Sequence, residues 1–156
     1  MSEFVDFDAE LESLLGKDGY RELCRIVPHV RDKLESPLER MFVDGLEQVG
    51  FSAGRTGRAW RFEEFEITPQ GRVDEYRCDF VVSDATDVWR FVVECDGHSY
   101  HERTAEQASR DRKRDRRLQS KGMAVLRFTG EELRSDRIAC ARQVLDFCRL
   151  KRSGQC

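Results

Sequence analysis

The sequence predicts an α/β domain built on a four-stranded mixed sheet flanked by helices. Three observations lead there. Between Phe62 and Asp96 apolar residues fall into three strand-length stretches separated by turn residues. A long polar stretch at helical spacing, His101 to Lys121, leads into a fourth apolar stretch, Met123 to Phe128. Strand, crossover helix and strand in that order favour a right-handed parallel βαβ unit, while the shorter links favour antiparallel pairing. A chain of 156 residues fits one domain, and 39% hydrophobic residues suffice for a core.

Taken in order, the chain opens with Phe4, Phe7, Leu11, Leu14 and Leu15 at helical spacing and a stop at Gly16. A second short pattern, Tyr20, Leu23, Cys24 and Val27, ends at Pro28. Residues 1–35 therefore read as an N-terminal helical extension to a domain over 36–156, and His29 beside Pro28 carries no chemistry. Ser36-Pro37-Leu38-Glu39 is a helix start, with Ser36 as N-cap, Pro37 at the first helical position and Glu39 placed to close a capping box. Leu38, Met41, Phe42, Leu46 and Val49 line one face until Gly50. Capping accounts for Glu39 on local grounds, and a catalytic role stays open beside it.

Phe51 to Arg61 reads as a loop. Phe62, Phe65 and Ile67 begin a strand that Val73 continues past Pro69, which demands an edge position or a bulge. Asp74-Glu75 forms a turn, and Tyr76 to Val82 is a second strand interrupted by Asp79. Ser83 to Asp87 turns the chain into a third strand, Val88 to Asp96. The following helix has a thin packing stripe of Ala105, Ala108, Arg112, Asp115 and Leu118, and Gly122 ends it. Thr129 to Glu132 reads as a turn, after which Ser135 caps a last helix with Ile138, Ala141, Leu145 and Cys148 on one face, fraying from Lys151.

Charge is distributed unevenly. The net charge is only −3, yet residues 101–156 carry fifteen basic and eight acidic groups. One face thus suits an anionic partner, with a solvated helix face as the alternative. The cysteines at 24, 78, 95, 140, 148 and 156 form no CxxC pair, which fits reduced thiols and a cytoplasmic setting. No basic-then-apolar leader opens the chain, and no apolar run approaches a membrane span.

Chemistry concentrates in Val92-Val93-Glu94-Cys95-Asp96-Gly97-His98-Ser99-Tyr100-His101. Glu94 and Asp96, two apart on a strand, share a face. Carboxylates ending an apolar strand either meet water or need a cation or hydrogen bonds, and a hard divalent metal meets that need. Folding the second and third strands about a centre near 86 or 87 brings Asp79 to the same place. Three converging carboxylates repel one another unless one is protonated or a metal is bound.

These residues resemble the PD-(D/E)xK restriction-endonuclease-like superfamily, and within it the domain-of-unknown-function family related to the very-short-patch repair endonuclease. The match runs through Ser36-Pro37-Leu38-Glu39, Gln70, Tyr76, Asp79-Phe80, Val93 to Gly97 with His101, Asp111, Arg114-Asp115, Leu118, Gly122 and Val125-Leu126-Arg127-Phe128, over about residues 36 to 130. The resemblance implies a metal-dependent phosphodiesterase that cuts or nicks DNA, most naturally double-stranded. It implies Mg²⁺ or Mn²⁺ on Asp79 and Glu94, with the Cys95 carbonyl and Asp96 as further ligands and Glu39 acting through water or a second metal. Gln70, Asp111, Arg114 and Arg127 become supporting residues, Arg114 through an internal pair with an acid. Arg110, Arg112, Lys113, Arg116 and Arg117 become phosphate contacts.

One departure matters: the superfamily's usual lysine, two positions after the second carboxylate, is Asp96 here. The general base is then unassigned, with His101 the first candidate and His98 the second, against the reading that both only position the next helix. A zinc site from Cys95, His98 and His101 is disfavoured because Cys95 alternates away from Glu94 and Asp96. Cutting both strands needs two sites, hence a homodimer. The competing class is a nuclease-fold module that binds nucleic acid or a protein partner without turnover.

Overall fold

Alternation of burial along the strands sets the architecture. The computed structural model describes residues 7–54, 57–97 and 104–154. Strands β1 (Trp60–Phe62), β2 (Phe65–Pro69), β3 (Arg72–Val73), β4 (Tyr76–Arg77), β5 (Phe80–Asp84), β6 (Arg90–Asp96) and β7 (Ala124–Thr129) combine with helices α1 (Phe7–Ile26), α2 (Pro37–Gln48), α3 (Ala105–Ser120) and α4 (Gly130–Arg152). The main sheet has the order β1-β2-β5-β6-β7, and β3-β4 is a separate ribbon. All pairs in the main sheet are antiparallel except β6 with β7, which α3 connects as a parallel crossover.

The sheet therefore has five strands rather than the four expected. The extra one, β1, lies partly in the segment read as a loop and folds onto β2 with Trp60 opposite Ile67 and Phe62 opposite Phe65. Its turn is Glu63-Glu64, with Glu63 in the left-handed region at φ 53°. Hairpin turns announce themselves through Asn or Gly, and two glutamates give no such signal. Trp60 is fully buried, and its indole N–H donates to Glu47 Oε1 at 3.0 Å.

A second correction concerns the stretch after Pro69. Gln70 takes φ 52°, so β2 stops there instead of continuing to Val73. Gly71 to Cys78 loops out as the β3–β4 ribbon, closed by Gln70 N–H to Asp79 C=O at 2.7 Å and Cys78 N–H to Gly71 C=O at 2.8 Å. A Cβ on Gly71 would lie 2.4 Å from Val81 Cγ2, so only glycine fits that seam. The expected strand from Tyr76 to Val82 is thus two elements parted at Cys78-Asp79.

β5 and β6 pair in the expected register, with Phe80 opposite Val93 and Val82 opposite Phe91. On one face of the sheet α2 and α4 cover Phe80, Val82, Phe91, Val93 and Phe128. Phe42 of α2 packs on Phe80 and Phe128, with ring centroids 5.0 and 5.9 Å away. α2 and α4 approach so closely that a Cβ on Gly45 would lie 2.3 Å from the Arg137 carbonyl oxygen. The other face is thinner: Leu118 of α3 packs with Val73, Cys78, Val92 and Met123.

Both later helices begin elsewhere than expected. α3 starts after Thr104, which closes a capping box with Gln107, and turns Asp111, Arg114, Asp115 and Leu118 inward, while Ala105 and Arg112 are exposed. α4 begins after Thr129, whose hydroxyl accepts from Glu132 N–H, and kinks at Asp136. Ser135 is not its cap; at the kink the Asp136 carboxylate accepts from Ala139 N–H at 2.9 Å. α1 is bent at Gly16, and no described side chain in it is buried, with Leu14 77% and Ile26 71% exposed. Val30 and Leu34, just before α2, already belong to the main core. Among the described residues no helix is long and apolar enough to cross a membrane.

Candidate functional site

Strand register and helix capping bring the site together at one end of the sheet. Ser36 caps α2 by accepting from Glu39 N–H at 3.1 Å. The expected box is not closed on Ser36: Glu39 Oε2 instead accepts from Glu35 N–H at 3.0 Å and from Gln70 Nε2 at 2.9 Å. Only 4% of Glu39 is exposed, so these two donors are what make its burial tolerable. Gln70 reaches it from the left-handed turn that ends β2.

Asp79 stands one step beyond the paired Phe80 and Val93, beside the end of β6. Its Oδ2 accepts from Cys95 N–H at 2.8 Å. Burial pushes the Asp79 carboxyl above its ordinary range; the Cys95 N–H opposes that, and the charge of Glu39 adds to it. Glu94, 9% exposed, is likewise raised by burial and then by Asp79, against the pull of Arg114 and Arg127. The Cys95 thiol is raised by burial and by the charges of Asp79, Glu39 and Glu94 in turn.

Arg114 enters from α3. Its Nη2 donates to Glu94 Oε1 and, at 3.0 Å, to the Arg77 carbonyl oxygen, while its buried Nε has no hydrogen-bond partner. Arg127, opposite Glu94 on β7, bonds Asp115 of α3 at 3.0 Å. An open cleft of about 550 Å³ runs past these groups, its wall including Asp79, Glu94, Asp96, Asp111, Arg114 and Arg127. The Cys95 side chain packs instead toward the α2–α4 core, as strand alternation requires.

The oxygen donors along this wall are the type a hard divalent ion takes. Their placement is not that of a finished cage: among the described residues no three His, Cys, Asp or Glu side chains gather closely enough to hold a metal. The reason is visible in the partners, since Glu94 is turned onto Arg114 and Asp79 onto the Cys95 N–H. His98 and His101 lie outside the described residues.

On α3, Arg110, Arg112, Lys113, Arg116 and Arg117 are all exposed. Arg117 is partly committed, 3.6 Å from Asp74, which Lys121 also pairs. One cleft residue escaped the sequence reading altogether: Arg134, in the second turn of α4. Reading Thr129 to Glu132 as a turn and starting the helix at Ser135 hid it. The signal was present in Thr129 and Glu132, a capping-box pair that places Arg134 one turn above Gly130.

No curated protein and no solved structure gives a significant match to the chain. The model of the family REase_MTES_1575 matches residues 57–147, more than half of the chain. The matched segment carries Asp79, Glu94, Arg114 and Arg127 but begins after α2, so Glu39 joins the group through its bond from Gln70 rather than through the match. The chain belongs to REase_MTES_1575, a restriction-endonuclease-like family.

Proposed function

We propose that the chain is a metal-dependent endonuclease or nickase that hydrolyses DNA phosphodiester bonds, within the branch related to the very-short-patch repair endonuclease. The observation that carries this reading is the pair Asp79 and Glu94, two half-buried or buried carboxylates raised by burial at the wall of a cleft that also holds guanidinium groups. Such a pair is unfavourable unless a proton or cation joins it. Asp79 and Glu94 are the residues to hold Mg²⁺ or Mn²⁺, with the Cys95 carbonyl and Asp96 as further donors. Bound there, the ion supplies Lewis-acid stabilisation of charge on a phosphoryl oxygen.

The remaining roles fall to the chain itself. Glu39, fixed by Gln70 and the Glu35 N–H, orients water for the reaction. His101, or His98, takes the proton from the attacking water. Arg110, Arg112, Lys113 and Arg116 hold phosphates of the duplex outside the cleft, while Asp111, Arg114 and Arg127 keep the wall in place. Residues 1–35 are an extension to the endonuclease unit over 36–156, although Val30 and Leu34 contribute to its core. A cytoplasmic setting and, for a two-strand cut, a homodimer complete the proposal.

The test is incubation with supercoiled plasmid in Mg²⁺, Mn²⁺ or chelator. Relaxed or linear product in metal, absent in chelator and in Asp79→Ala, is expected. A second reading, a nucleic-acid- or protein-binding module without turnover, is favoured by the engagement of Glu94 with Arg114. Retained DNA binding with no cleavage in either metal selects it.

A further inference from the structure

Among the described residues three guanidinium groups line the cleft, and their commitments differ. Arg114 is bound to Glu94 and to the Arg77 carbonyl, and Arg127 to Asp115. The Arg134 guanidinium makes no hydrogen bond or ion pair among the described residues, although its cleft also contains Asp79, Glu94, Asp96 and Asp111. We propose that Arg134 binds a phosphate of the nucleic-acid strand held in the cleft, beside the carboxylates Glu94 and Asp96.

Chain direction places it there. β6 and β7 run parallel, with Glu94 opposite Arg127 and Asp96 opposite Thr129, so both strands end at the same edge. α4 begins at that edge without an intervening loop, since Thr129 ends β7 and caps the helix. Side chains on a helix lean toward its N-terminus, so Arg134 points back over the first turn and down to the strand ends. Its guanidinium lies over Gly130, where a Cβ would come within 3.0 Å of Nη2, 3.1 Å of Nη1 and 3.3 Å of Cζ. A side chain at 130 would be in tight contact with the planar group but could be met by a small shift of the flexible arginine. A guanidinium presents paired N–H donors that match two phosphate oxygens. The exposed cations of α3 supply charge along the duplex, whereas Arg134 supplies it at the carboxylates.

This inference rests on the nuclease reading, and the experiment separates the two. Fluorescence anisotropy of a labelled short DNA duplex, in chelator and across a salt series, is measured for wild type, Arg134→Ala, Arg134→Lys and Gly130→Ala. Arg134→Ala is expected to weaken binding about tenfold and to lower the salt slope by about one. Arg134→Lys should recover the slope but only part of the affinity, because the charge stays and the fork is lost. Gly130→Ala keeps the charge and shifts the guanidinium only slightly, so it serves as the control: a salt slope lowered by Arg134→Ala but not by Gly130→Ala assigns the loss to the guanidinium itself. Wild-type affinity and slope in Arg134→Ala overturn the inference while leaving the nuclease reading standing. A wild type that binds no duplex at any salt overturns the nuclease reading, and the inference with it.

Discussion

The Asp79 carboxyl has a single backbone donor, the Cys95 N–H, and burial raises it despite that bond. A carboxyl raised in the folded state contributes stability that is fully present below its ordinary range and is lost as pH rises through the raised value. Metal-free protein therefore carries a penalty at neutral pH that Asp79→Asn removes, because Asn still accepts from the Cys95 N–H and has no charge to bury. Denaturant unfolding in chelator is expected to find Asp79→Asn more stable than wild type at pH 7, with the gap closing toward acid pH. A gap that instead widened toward acid pH would contradict the burial argument. Glu39 poses a different question, because two N–H donors satisfy one oxygen. A glutamine can accept both with its carbonyl, so Glu39→Gln should cost no more than about 1 kcal/mol. Under the proposed function its cleavage rate falls by about a hundredfold, the lower end of what positioned acid–base chemistry contributes. Full cleavage with an unchanged melting temperature would return Glu39 to a packing and capping role.

Helices and strands carry consequences that single residues do not. α2 and α4 meet at Gly45, where the Arg137 carbonyl oxygen leaves no room for a methyl group. Gly45→Ala gains helix propensity, yet it must push two core-forming helices apart, and overpacking of this kind costs roughly 1–3 kcal/mol. A lowered denaturation midpoint checks this; an unchanged or higher one would mean the helix pair slides freely. α3 is exposed along Arg112, Lys113 and Arg116, whereas Arg114 and Asp115 face the sheet. Reversing those three exposed charges should lower the salt slope of duplex binding by up to about three and leave the fold intact. Equal slopes would remove α3 from the DNA surface. Much of this element layout was legible. The β5–β6 register followed from folding two apolar strands about one short turn centred near 86 or 87, and it put Asp79 beside Glu94. The β1 hairpin was not legible, because Glu63 adopts a left-handed turn conformation that its side chain does not advertise. The split at Gln70 and the bond from Gln70 to Glu39 depend on a backbone angle of the same kind. The α4 start was misread because Thr129 and Ser135 both look like caps, and the helix survives a kink at Asp136 between them and its main body.

At the scale of the whole molecule, the thick core and the thin core meet at the site. The α2–α4 face supplies a broad apolar foundation, while the α3 face has only a small apolar cluster and hands the space near Glu94 to Arg114, Asp115 and Arg127. Arg114 thus substitutes in the metal-free protein for part of the positive charge the carboxylates require, which explains how Glu94 can be buried there at all. Under the proposed function a divalent ion would compete with that guanidinium, which lowers its affinity, and would relieve the repulsion between Asp79 and Glu94. Under the same proposal the two carboxylates lie near each other only in the folded chain, so metal binding would be linked to folding. Mn²⁺ or Mg²⁺ is expected to raise the melting temperature progressively with concentration. At a hundredfold excess over the dissociation constant the gain is about 2.7 kcal/mol, or roughly 5–10 °C for a domain of this size. The shift should shrink in Asp96→Asn, which replaces a charged donor on the cleft wall by a weaker neutral one and lessens the repulsion that the ion relieves. Calorimetry in chelator and in millimolar Mn²⁺ measures both. Identical wild-type melting curves would mean that Arg114 already satisfies Glu94 and that no metal competes for it, leaving a nuclease fold that grips its ligand without cutting.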